Sequence, residues 1–199
     1  MLDRSLCLLM LSDFVSNISY GLASPFLPTV LDDKGISSVW TGIIFASYAV
    51  ASTIASLVVG SFLEKIGHKA SITIGSILMG VSVVAFGTIS DIPDKVTVIA
   101  LSILLRIGQG IATGMLNTAS YSFVSTAYGD NVEKVLSIME TVIGLGCMSG
   151  PVLGSFVYSS LGFSWTFYIF GGLMAPISIL IVLFLPKPAD VKEAKDKEN

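Results

Sequence analysis

Charge is what this 199-residue chain has least of: Asp, Glu, Lys and Arg make up 13% of it, against 53% hydrophobic residues and a mean hydropathy of +0.83. An ordinary soluble domain carries about a quarter charged residues, so the balance is that of a membrane protein. Its net charge of -3 is small, and its eleven basic residues form no patch that could follow a phosphate backbone, which sets nucleic acid aside. Cysteine is scarce too. Cys7 and Cys147 both sit in apolar runs, which supports neither a disulfide framework nor a metal site, and they read as packing residues. There is no nucleotide-binding glycine loop and no nucleophile–base constellation, so no enzyme, cofactor or metal is expected.

Long apolar runs are what the chain does have. A bilayer crossing needs roughly 20 apolar residues. Six runs qualify, at 5–31, 39–63, 70–90, 96–126, 135–160 and 164–185, which predicts an all-α, six-helix transmembrane bundle over 1–186. Turn residues and charge coincide at the breaks Asp32-Asp33-Lys34-Gly35, Glu64 to Lys69, Ser90 to Lys95 and Tyr128 to Lys134; the fifth break is the short Leu161-Gly162-Phe163-Ser164. From 187 to 199 the composition becomes that of a charged, solvated tail. Asp13 interrupts the first run and no small-residue cleavage site follows it, so that run reads as a helix and not as a cleaved leader.

Basic residues in short loops orient such a bundle. With both termini cytoplasmic, that side holds Arg4, Lys65, Lys69, Lys134, Lys187, Lys192, Lys195 and Lys197, and the far side only Lys34 and Lys95. Trp40 and Trp165 then fall at the non-cytoplasmic starts of helices 2 and 6, where an interfacial aromatic belt belongs.

Asp13, Arg106 and Glu140 remain inside the spans. A charge at the bilayer centre costs about 2.5–3.5 kcal/mol even on insertion scales, so each should face a cavity or a partner. Asp13, Asn17, Tyr20 and Ser24 recur at helical spacing on helix 1, and Arg106, Gln109, Thr113, Asn117 and Ser120 on helix 4. These two stripes either line a shared wet cavity or tie helices together by hydrogen bonds. Counted from their helix starts, Asp13 and Arg106 both lie about 12–17 Å deep, which places them near the midplane and predicts that Arg106 meets an anion, either Asp13 or a substrate group. Glu140 lies a turn or two inside the cytoplasmic start of helix 5, where a carboxylate also suits the helix dipole. In helix 5, Gly144, Gly146, Gly150 and Gly154 with Pro151 form GLGCMSGPVLGS, equally a close-packing device and a moving part.

Three stretches resemble signature motifs of the major facilitator superfamily. The loop pattern G-x-x-x-D/E-R/K-x-G-x-R/K-R/K is met by Gly60, Glu64, Lys65, Gly67 and Lys69, with Ala70 departing from the last basic position and His68 at an unspecified, solvated one. The helix 4 pattern R-x-x-Q-G is met by Arg106, Gln109 and Gly110. The pattern G-x-x-x-G-P-x-x-G-G of proton-coupled drug antiporters is met by Gly146, Gly150, Pro151 and Gly154, with Ser155 in place of the last glycine. Helix 1, with Asp13, Pro25 and Pro28, is similar to that of the vesicular amine transporter branch. The resemblance implies a 3+3 inverted repeat equal to the amino-terminal half of a twelve-helix fold. It further implies a cytoplasmic gate at Glu64 and Lys65, proton coupling at Arg106, a rocking helix 5, and an Asp13 that binds a cationic amine or carries the proton. The expected function is proton-coupled antiport of small organic, cationic solutes, with a second six-helix bundle as partner, either a second copy or a complementary half. The alternative is a non-transporting, truncated or regulatory half that pairs with a full-length relative. A small channel would need a polar pore through one bundle, which the stripes of helices 1 and 4 hardly supply.

Overall fold

The computed structural model describes residues 3–191, and they form helices and short connections without a strand among the described residues. The order is α1 (Arg4–Asp33), α2 (Ser38–Ile66), α3 (His68–Phe86) followed by a 3-10 turn (Gly87–Asp91), α4 (Lys95–Tyr128), a second 3-10 turn (Gly129–Asn131), α5 (Val132–Gly172) and α6 (Met174–Phe184). Five stretches are long and apolar enough to cross a membrane, the last being Val132–Phe184 with 53 residues. A straight helix of that length would run about 80 Å, more than twice the hydrocarbon thickness of about 30 Å. It is not straight: Gly162, at φ 80° and ψ -175°, stands outside helical geometry inside α5, a conformation open to glycine alone at no steric cost.

The helix starts are written in side chains. The Asp3 carboxylate accepts the Leu6 amide at 3.0 Å to cap α1 and also the Tyr128 hydroxyl at 2.7 Å. The Asp94 carboxylate caps α4, accepting the Thr97 amide at 2.8 Å and the Thr97 hydroxyl at 2.6 Å. These bonds hold the exposed Asp94 carboxyl below its ordinary value, so the cap is in place above that value and is lost as pH falls through the lowered one. At the far rim, Lys34 donates to the Ser90 and Ile92 carbonyls at 2.9 and 2.6 Å, Lys95 donates to the Gly35 carbonyl at 3.2 Å, and the Ser90 and Ser164 hydroxyls lie 2.8 Å apart. Lys34 and Lys95 therefore tie neighbouring loops together.

Glycines set how closely the helices approach. A Cβ at Gly146 would stand 2.6 Å from the Phe14 carbonyl oxygen, one at Gly150 2.7 Å from that of Ile18, and one at Gly154 would meet Leu22 and Phe26. These contacts climb α1 and α5 in the same direction, so the two helices run parallel. On the other side, Gly110 and Gly114 abut the backbone of Tyr48 and Ser52 and the methyls of Ala51 and Ala55, so α2 and α4 are parallel as well. Gly87 abuts Tyr168, Gly171 abuts Val84 and Gly80 abuts Met174, which makes the stretch beyond Gly162 antiparallel to α3. The two parts of α5 thus pack against different partners.

Two expectations change. Cys7 is exposed and Cys147 half-buried, so Cys7 is no packing residue: its place in an apolar run reflects the apolar exterior, not the core. The segment taken for the start of a solvated tail is helical at 188–191, where the Asp190 and Val191 amides bond to the Lys187 carbonyl and Val191 is buried. Residues 192–199, with Lys192, Lys195 and Lys197, lie outside the described residues.

The close approach predicts an asymmetry within helix 5. Gly150→Ala has backbone on the far side that cannot yield, and should destabilise by about 1–3 kcal/mol. Gly144 has nothing within 4 Å of an added Cβ, so Gly144→Ala should gain up to about 1 kcal/mol of helix propensity. Thermal unfolding of the two purified variants measures this; equal effects would mean that α1 and α5 are not in backbone contact.

Candidate functional site

Asp13 is 1% exposed. Its Oδ1 accepts the Ser120 hydroxyl at 3.5 Å, at the far limit of a hydrogen bond, and its Oδ2 is buried without a partner. Asn17 spends its amide on the Asp13 backbone carbonyl at 2.8 Å, a bond within α1. Tyr20, one turn on, is exposed and stacks on Tyr48 at 4.7 Å between centroids, and Ser24 is exposed. The stripe of α1 therefore runs from a sealed carboxyl to an open surface.

Arg106 is fully buried. Its Nη1 donates to the Gln109 side-chain oxygen at 3.0 Å, and Gln109 donates in turn to the Ser82 carbonyl at 3.4 Å. Three rings surround the guanidinium, Phe86 at 5.0 Å, Phe45 at 5.1 Å and Tyr48 at 5.8 Å from their centroids, while Nε and Nη2 have no hydrogen-bond partner. The Tyr48 hydroxyl donates to Thr113 at 2.9 Å. Asn117 is half-buried.

The expected meeting of Asp13 with Arg106 does not occur. Asp13 is level with Ser120, which lies fourteen residues beyond Arg106 on α4, a rise of about 21 Å. The depths were similar but counted from opposite ends of helices 30 and 34 residues long; at about 45–50 Å these exceed the hydrocarbon, so equal depths are not a common midplane. What stands near Asp13 instead is the neighbourhood of Tyr121, whose hydroxyl donates to the exposed Glu140 carboxylate at 2.5 Å.

The aromatic cage went unseen in the sequence. Tyr48 carried a signal, since a tyrosine ten residues into an apolar span is far from the interface that tyrosine favours. Phe45 and Phe86 carried none, being indistinguishable from lipid-facing or core phenylalanine. In the loop motif, Glu64 and Lys65 are exposed, with the Lys65 ammonium 5.8 Å over the Phe62 ring. Gly60 lies against Thr118, Gly67 takes the left-handed φ of 86° that turns α2 into α3, and Lys69 is half-buried. His68 is not merely solvated: its Nε2 lies 3.0 Å from the Ser122 hydroxyl. The helix 5 residues Gly146, Gly150 and Gly154 face α1. Pro151, lacking an amide hydrogen, frees the Cys147 carbonyl, and a Cβ at Gly21 would stand 2.6 Å from that oxygen.

Among known protein families, residues 9–199 match the Major Facilitator Superfamily. The chain belongs to this superfamily. Within it, the chain is 34% identical over 168 residues to the MFS-type transporter SLC18B1 of Mus musculus, covering 83% of this chain and 37% of that protein. It is 22% identical over 177 residues to the multi-drug resistance efflux pump PmrA of Streptococcus pneumoniae, covering 87% of this chain and 43% of the pump. With the chloramphenicol resistance protein CraA of Acinetobacter baumannii it shares 22% identity over 160 residues, 80% of this chain and 37% of the relative. The chain thus spans about two-fifths of these relatives. As a member of the superfamily it is a multi-pass integral membrane protein, and its apolar exterior, with Val50, Leu57, Val81, Leu104 and Phe156 exposed, is the surface lipid requires.

The separation of the two charges makes a quantitative expectation. Sites this far apart without a shared partner add within about 0.3–0.5 kcal/mol. Asp13→Asn, Arg106→Gln and the double variant, compared by denaturant unfolding, should therefore show simple additivity; a coupling above 1 kcal/mol would place the two side chains together.

Proposed function

We propose that the chain is a six-helix half of a secondary transporter that exchanges protons for small organic, cationic solutes. The observation that carries this reading is the buried Asp13 carboxyl, which has one long hydrogen bond, a bare Oδ2 and, among the described residues, no ion-pair partner. A carboxyl so placed is satisfied by a proton or by an ammonium group, and by one at the expense of the other, which is the competition an antiporter needs. Glu140, Tyr121 and Asn117 extend this polar region toward the open face, and Gln109 and Thr113 continue it along α4 toward Arg106, whose own charge is occupied by Gln109 and three rings.

Six crossings follow if residues 132–161 and 163–185 cross separately. The reversal of packing partner at Gly162 supports that, as does the antiparallel run against α3. The inverted 3+3 arrangement has similar support: exchanging α1 with α4 and α2 with α5 maps the parallel glycine pair α1–α5 onto the parallel glycine pair α4–α2. Arg4, Lys65, Lys69, Lys134 and Lys187 lie at one end of the bundle and Lys34 and Lys95 at the other, which favours cytoplasmic termini. The loop of Gly60, Glu64, Lys65, Gly67 and Lys69 then stands at the cytoplasmic rim as a gate. A second bundle, whether another copy or a complementary half, would supply the facing wall and something to rock against.

The test is uptake of an organic cation driven by a pH gradient in reconstituted vesicles, at one copy per vesicle and at several. Uptake should need more than one copy or an added complementary half, and Asp13→Asn should reduce it to the level of empty vesicles. Transport that survives Asp13→Asn would overturn the site; absence of transport under every pairing would favour a non-transporting half that associates with a full-length relative. Orientation is tested separately in a chain with Cys7 and Cys147 replaced by serine. A membrane-impermeant thiol reagent should label Asp33→Cys from outside sealed cells, and Lys65→Cys only after permeabilisation; the reverse pattern would invert the bundle.

A further inference from the structure

At the end of the bundle where α2 turns into α3, a cleft of about 750 Å³ opens between the start of α3 and the segment after α6. Its two walls run antiparallel and change character at the same level. On one wall, His68 and Lys69 are followed five residues deeper by Ile74; on the other, Val182 is followed five residues outward by Lys187. On α3 five residues are about 7.5 Å of helix, and on the other wall the chain leaves α6 at Phe184 and runs extended before Lys187, so two lysines stand toward the water side and two aliphatic side chains toward the membrane side. Ile74 and Val182 are 50% and 49% exposed, which puts them in contact with lipid. Among the described residues no acidic residue lines the cleft, and neither Lys69 nor Lys187 has an ion-pair partner. The His68 ring is held by Ser122 at 3.0 Å and closes the inner side.

We infer that this cleft binds the headgroup of an anionic phospholipid, with the phosphodiester between Lys69 and Lys187 and the glycerol and acyl chains along Ile74 and Val182. A soluble phosphate would satisfy the lysines and leave the aliphatic walls unused. A zwitterionic lipid would bring its own cation to a place that already holds two. On the orientation proposed above, this rim faces the cytoplasmic leaflet, where anionic lipids concentrate. The inference needs only membrane residence, and no transport assay enters its test, so its failure leaves the transport reading untouched.

The purified full chain in neutral detergent is titrated with dihexanoyl phosphatidylglycerol, with dihexanoyl phosphatidylcholine and with inorganic phosphate, following the thermal unfolding midpoint. Phosphatidylglycerol should raise the midpoint saturably, and the other two should not. Near a membrane surface each lysine contributes on the order of a fivefold gain in affinity for anionic lipid, so Lys69→Gln with Lys187→Gln should raise the half-saturating concentration about 30-fold. Lys69→Arg with Lys187→Arg should keep wild-type affinity. If the double glutamine variant does not fold, the single variants should each weaken binding about fivefold. An equal shift from phosphatidylcholine, an equal shift from inorganic phosphate, or undiminished affinity in the glutamine variants would each overturn the site.

Discussion

Backbone-to-backbone contact between helices is the constraint on which this structure depends. In a bilayer the apolar surfaces of two helices gain nothing by leaving the solvent, because lipid is as apolar as they are, and association rests on close packing. The chain achieves it with small residues in register. Gly146 and Gly150 lie on the α1 backbone at Phe14, Ile18 and Gly21, Gly154 lies against the side chains of Leu22 and Phe26, and Gly110 and Gly114 lie on α2 between Tyr48 and Ala55. Gly80, Gly87 and Gly171 join α3 to the stretch after Gly162. Once these pairs are locked, the depth of every polar side chain is set, and it is not adjustable by a turn of either helix.

The two buried charges fare differently within that frame. Arg106 has three ring faces and one charge-assisted hydrogen bond. A desolvated cation–π contact is worth about 2 kcal/mol, so three together are of the same order as the roughly 2.5–3.5 kcal/mol that insertion scales assign to a central charge. The cation can therefore persist without an anion beside it. Asp13 has one hydrogen bond at 3.5 Å and nothing for its second oxygen. Both groups keep unpartnered polar atoms, Oδ2 on Asp13 and Nε and Nη2 on Arg106, but ring faces offset the charge of the guanidinium and, among the described residues, nothing comparable stands against the carboxyl.

Local signals were legible in the sequence and long-range ones were not. The breaks at Gly67 and Gly162 and the crowded glycines of helix 5 act within a few residues or demand one residue type. The polar stripes were also readable, because helical spacing alone assembles them. What failed was register between helices. Asp13 and Arg106 lie at similar distances from their own helix starts, but α1 and α4 are longer than the bilayer is thick, and only the stagger set by Gly110, Gly114 and their partners decides who faces whom. The same limit hid Phe45 and Phe86, which become a cage only when α2 and α3 close on α4. It also let His68 pass as solvated, since its partner Ser122 is 54 residues away.

The geometry also bears on how helix 5 works. A glycine-rich helix with a central proline can be a hinge, but a hinge needs free space at the bend. Here the space is filled. The carbonyl of Cys147 that Pro151 releases points at Gly21, Gly146 and Gly150 before the proline each rest on an α1 carbonyl, and Gly154 beyond it rests on Leu22 and Phe26. Bending α5 at Pro151 would part these contacts along most of its length, in a medium that offers no hydrophobic force to restore them. Pro151 thus sits where α5 is packed directly on α1. On the proposed function, the motion of alternating access is carried between bundles, and Asp13 travels with its own.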